Sequence, residues 1–63
     1  MFENRFYSIN EVAKALGVSR VAVYAWRRQG KFPYGVQFGT VRRYSGEELN
    51  DWLKARYEAE ARG

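Results

Sequence analysis

Cysteine and histidine are both missing from the 63 residues, and proline and methionine occur once each. Without cysteine there is no disulfide, and without either residue there is no zinc site of the ordinary ligand set, so nothing covalent or metallic supplements the core. The same absences remove the usual general base near neutral pH and the usual thiol nucleophile, which argues against an enzyme. No apolar run approaches the roughly 20 residues that cross a bilayer, and the opening MFENRFYS lacks the charged and then apolar order of a signal peptide. The expectation is a soluble intracellular chain with no metal, no cofactor, no small-molecule ligand and no membrane partner.

Negative charge is missing from the centre of the chain. Between Val12 and Gly46 there is no carboxylate, while Lys14, Arg20, Arg27, Arg28, Lys31, Arg42 and Arg43 all fall there. The acidic residues gather at the ends, Glu3 and Glu11 before that stretch and Glu47, Glu48, Asp51, Glu58 and Glu60 after it, within a formal net charge of +4. A chain segregated in this way presents a positive surface to a polyanion.

What is present is aromatic: two Trp, five Tyr and four Phe. Each buries a large area, which suits a domain close to the lower size at which a chain folds alone. No repeat or linker divides the chain, so residues 1–63 read as one domain. In YSINEVAKAL, Ser8 is a helix cap, Glu11 completes a capping box, and Tyr7 with Val12 forms a hydrophobic staple. Ile9, Val12, Ala13 and Leu16 fall at helical spacing up to Gly17. Only Gly17 and Val18 precede the next cap, Ser19, from which a second helix runs from about Arg20 to Gln29 and closes at Gly30. Two helices joined so tightly form a helix-turn-helix.

After Gly30 the pattern changes. VQF and VRRY are β-prone and are separated by Gly39 and Thr40, a two-residue hairpin turn that puts Phe38 and Val41 on one face. Tyr34 and Phe38 are expected to pack this hairpin onto the core. A third helix then starts at Ser45, with Glu48 as its capping-box partner, Tyr44 and Leu49 as a staple, and Leu49, Trp52 and Leu53 as its buried stripe. The tail 58–63 is expected to fray.

The second helix is apolar on two faces. At 100° per residue Val23 and Trp26 lie together and belong to the core, whereas Val21, Tyr24, Ala25 and Arg28 lie opposite, with Arg20 and Arg27 at the border. Small side chains ringed by guanidinium groups suit a DNA major groove: Ala25 and Val21 allow close approach and touch thymine methyls, and arginines pair with guanine or clamp phosphates. Arg42 and Arg43 alternate in direction, and both sit within reach of a backbone beside the groove. The fold class is therefore mainly α with a small β-hairpin, a winged helix-turn-helix with a two-stranded wing and a third helix.

Other chemistry has simpler explanations. Ser8, Ser19 and Ser45 are all spent as caps, and Glu47, Glu48 and Asp51 lie in the first turns of a helix, where carboxylates favour the dipole. Gly17, Gly30, Gly35 and Gly39 sit where turns need them and form no phosphate loop.

The run from Tyr7 to Leu53 resembles the phage excisionase and AlpA-type family of small winged-helix domains, related in fold to the DNA-binding heads of MerR-type regulators. The resemblance is carried by LGVS at Leu16 to Ser19, by Val23, Tyr24, Trp26 and Gly30, by Pro33, Gly39 and Arg43, and by Leu49, Trp52 and Leu53. It implies the second helix in the major groove, with Arg20, Val21, Ala22, Tyr24, Ala25 and Arg28 facing bases or backbone, and a wing of Thr40, Arg42 and Arg43; the helical geometry adds Arg27. The chain departs from the family's commonest pattern at Val21 and Ala22, where hydroxyl residues are frequent, and at Ala25, often arginine. Phosphate contacts and DNA shape then carry more of the recognition. The resemblance further implies a cytoplasmic, nucleoid-associated excisionase, a recombination directionality factor. Such a protein binds attachment-site double-stranded DNA cooperatively beside other copies of itself, bends it, and works with an integrase; the free chain is expected to be a monomer. The alternatives are a small transcriptional regulator built on the same domain and a protein-interaction module.

Overall fold

Three serines begin three helices. In the computed structural model, which describes residues 1–62, Ser8 opens helix α1 (Ile9–Leu16) with the complete capping box, Ser19 opens α2 (Arg20–Arg28) by accepting from the Ala22 N–H, and Ser45 Oγ accepts from the Glu48 N–H at the start of α3 (Gly46–Arg62). Only that first half of the expected second box forms. Gly17 takes φ 70 and Gly30 φ 73, and the amides after them bond back to Ala13 and Trp26, the arrangement that absorbs the last carbonyls of a helix. Gly17 thus turns the chain from α1 into α2 within three residues. No helix among the described residues is long and apolar enough to cross a membrane.

The hairpin forms as strands β2 (Val36–Phe38) and β3 (Val41–Ser45), with Phe38 opposite Val41 across the two-residue turn. It does not stand alone. A further strand, which we number β1 (Phe6–Tyr7), pairs antiparallel with β3, so that the sheet order is β1-β3-β2 with β3 in the middle. A third strand gives a short hairpin the support it lacks by itself. Together with the helix-turn-helix this is a winged helix-turn-helix.

Tyr44 and Leu49, with no exposed surface, form the staple of α3, and Val12 and Val23 meet them in a core completed by Phe2, Tyr7, Ala13 and Phe32. Trp52 and Leu53 pack against it half-buried, and so does Trp26. Phe2 and Phe32 have no periodic signal. Phe2 enters because residues 1–5 arch over the start of α3: its backbone exchanges hydrogen bonds with the Asn50 side chain at 2.8 and 2.9 Å, and Gly46 N–H donates to Arg5 O. The arch runs so close that a Cβ on Gly46 would lie 1.7 Å from Glu3 O.

Two expectations are corrected. Tyr34 and Phe38 do not pack the hairpin onto the core; Tyr34 is 76% exposed, and Phe38 sits on the outer face of the sheet edge-to-face with Phe6 at 5.3 Å. Strand alternation explains this, since Tyr44 and Phe38 point to opposite faces. Residues 58–62 are not irregular but helical, continuing α3, as a run of glutamate and alanine with strong helix propensity favours; Gly63 lies outside the described residues.

Gly46→Ala would gain a few tenths of a kcal/mol to about 1 in helix propensity but overlap backbone that has nowhere to go. A net loss of about 2 kcal/mol is expected, read as a melting temperature about 10 °C lower; an unchanged melt would mean that the arch is dispensable. Acid sensitivity should trace partly to Glu11. The Ser8 backbone N–H and then the Arg5 guanidinium hold its carboxyl below the ordinary range. The folded chain therefore releases this proton more readily than the unfolded chain, so the contribution is present above the ordinary carboxylate pKa and is lost as pH falls through the lowered one. Glu11→Gln, followed by thermal melts from pH 7 to pH 2, should show a shallower acid decline than the parent, and parallel curves would exclude Glu11 from it.

Candidate nucleic-acid interface

Two turns of α2 and the inner face of the hairpin stand opposite each other across a cleft. Arg20, Tyr24 and Arg27, at spacings of four and three, are neighbours on one stripe of α2. They form one wall; Gln37, Thr40 and Arg42 contribute to the other, and Ser8, Ile9 and Asn10 at the start of α1 close one end. The cleft has a volume of about 560 Å³ and no carboxylate lines it. Arg20, Arg27 and Arg42 surround it and Arg43 borders it, against a floor that includes Tyr44. A concave surface with one sign of charge focuses the field on an anion entering it.

The positions of these arginines follow from local structure. Arg20 extends toward Asn10 Oδ1 at 3.4 Å, which links the first turns of α1 and α2. Arg42 donates to the Tyr34 carbonyl, so the guanidinium is steadied against the loop before β2. Arg43 donates to the Arg42 carbonyl at 3.0 Å. Cross-strand pairing sets the directions of the last two: Arg42 pairs with Gln37 on the inner face, while Arg43 pairs with Val36 on the outer face that also carries Phe38 and Val41. The wing therefore presents one arginine to the cleft side and one away from it.

Beyond the cleft, Arg28 with Tyr24 and Arg27 borders a second, shallower depression of about 480 Å³. Tyr24 and Arg27 form the ridge between the two. Val21 is 72% exposed and Tyr24 45%, so the outer face of α2 is open as the 100° spacing requires, whereas Ala22, Ala25 and Arg27 are half-buried on its flanks. Of the residues singled out from sequence, the structure gathers Arg20, Tyr24, Arg27, Thr40 and Arg42 around the cleft, and Arg43 borders it with its side chain on the outer face of the sheet. Val21, Ala22, Ala25 and Arg28 lie outside it. Asn10 and Gln37 were not singled out, and Tyr44 only as the staple of α3; of these, Gln37, alternating with two apolar strand residues, carried a local signal of facing inward.

Tyr44 is the titratable group that the cleft perturbs. Burial pushes its phenol up, and Arg27 and Arg42 pull it partly back down. No group of three or more His, Cys, Asp or Glu able to hold a metal occurs among the described residues.

Compared with known protein families, residues 6–57 match the helix-turn-helix domain. The chain belongs to the helix-turn-helix domain family. This family is typical of AlpA-like and excisionase-like small DNA-binding proteins, and the match covers every strand, α1, α2 and most of α3. A helix-turn-helix domain supports DNA as the partner of this chain. The searches of curated proteins and of solved structures returned no match.

On duplex DNA, Arg42→Ala should lower the slope of log affinity against log salt by about one, since each neutralised phosphate contributes about 0.9. A slope equal to the parent's would take Arg42 out of the phosphate-contacting set.

Proposed function

We propose that the protein binds double-stranded DNA with α2 in the major groove and the hairpin on the flanking backbone, as an accessory DNA-bending protein of the excisionase kind. The observation that carries this reading is the cleft between α2 and the wing, lined by arginines and free of carboxylates. The nine residues of α2 span about 14 Å, a length that fits along a groove about 12 Å wide. Val21 in its first turn and Tyr24 at its centre meet base edges, and Arg20 and Arg28 at its ends reach bases or phosphates. With few hydrogen-bonding groups in the middle of that face, sequence preference comes largely from phosphate geometry and from DNA shape.

Three partners follow from this reading: attachment-site DNA, neighbouring copies of the chain on that DNA, and an integrase. No reaction is assigned to the protein itself. Promoter control through the same domain is the nearest other reading, and it shares every DNA contact.

A gel-shift titration at two salt concentrations decides between them. The duplexes are the DNA beside an integrase gene of the same genome, a promoter fragment and a random sequence of equal length. Stepwise cooperative shifts confined to the integrase-proximal fragment are expected. Equal binding to all three would remove the excisionase reading, a preference for the promoter would favour transcriptional control, and no salt-sensitive shift on any duplex would sink DNA binding altogether.

A further inference from the structure

The floor of the cleft holds a polar atom that the fold leaves alone. Tyr44 has no exposed surface; its ring packs edge-to-face on Phe32 at 5.1 Å, and lies so near Gly35 that a Cβ there would come within 2.8 Å of it. Its hydroxyl has no hydrogen-bond partner among the described residues. The other buried tyrosine behaves differently, since Tyr7 Oη accepts from the Glu3 N–H at 2.8 Å. A buried hydroxyl without a partner is destabilising, and phenylalanine would fill the same space without that cost. Such an exception is expected where stability is given up for function.

The surroundings indicate the ligand. Arg27 from α2 and Arg42 from β3 act on the hydroxyl with positive charge; Tyr24 and Glu48 are the other titratable groups facing it, and Tyr44 itself lines the cleft. A phenol in a cleft also lined by two guanidinium groups is suited to an anionic oxygen: it donates one short hydrogen bond while the arginines balance the charge. We propose that the floor of the cleft seats one phosphate of the DNA backbone, with Tyr44 Oη donating to a phosphate oxygen held between Arg27 and Arg42. This rests on the DNA-binding reading above and narrows it to one contact. The hydroxyl is covered in the free chain, so seating requires the side chains over it to shift while Arg27 and Arg42 stay on the cleft. Because Arg27 and Tyr44 belong to different elements, the seat exists only while the wing is docked on α2.

Tyr44→Phe tests this by melting and by titration of duplex DNA at two salt concentrations. The variant should melt at or above the parent's temperature and bind about tenfold more weakly, as for loss of a hydrogen bond to a charged group. Its salt slope should be unchanged, because no charge is removed. In an Arg27→Ala background the same substitution should cost much less, since the two groups hold one phosphate. If Tyr44→Phe binds DNA like the parent, or if its loss simply adds to that of Arg27→Ala, the seat is overturned while the DNA reading stands. If the parent itself shows no salt-sensitive binding to duplex DNA, both fall.

Discussion

Trp26, Trp52, Phe32 and Tyr44 stand in a chain of ring contacts at centroid distances of 5.8, 4.9 and 5.1 Å. Each ring comes from a different part of the chain: α2, α3, the loop after α2, and β3. Offset and edge-to-face rings resist sliding as well as separation, because their quadrupoles favour particular geometries. The chain therefore sets where α2 lies relative to the wing, the separation on which the width of the cleft depends. Trp52 Nε1 donates to the Lys31 carbonyl at 2.6 Å, tying the loop to α3, and the Arg56 guanidinium lies over the rings of both tryptophans. In a chain with neither cysteine nor histidine, this aromatic line takes the place of a staple.

β3 converts that rigidity into a binding surface. It is paired on both sides, and alternation sends Tyr44 into the core and Arg42 to the cleft face while Val41 and Arg43 go outward. One strand thus anchors the wing, supplies its charge and runs straight into the cap of α3. The outer face that results is apolar around Phe6, Val36, Phe38 and Val41.

Much of this was legible in the chain because its signals are local. Caps at Ser8, Ser19 and Ser45, glycines at the helix ends and the two-residue turn at Gly39 each act within a few residues, and the helical period separated Val23 from Val21. What escaped was non-local. A two-residue strand has no period, so β1 left no trace, and Phe2 joined the core through an arch closed by Asn50, 48 positions away. Gly46 was a clue that went unused, since a glycine in the first turn of a helix without a positive φ marks a close approach of backbone. Among cleft residues, the charged ones could be named from composition and spacing. Tyr44 could not, because a staple tyrosine and a cleft-floor tyrosine read alike until the partner of the hydroxyl is known.

Both tryptophans of the chain lie in the same contact, between α2 and α3. The aromatic residues lining the cleft are both tyrosines, Tyr24 and Tyr44. The intrinsic fluorescence of the protein is accordingly a report on one joint, with the two indoles close enough to share excitation and with Arg56 lying over both. A ligand that fills the cleft without shifting that joint is silent at tryptophan wavelengths, and one that changes the emission has moved α2 against α3.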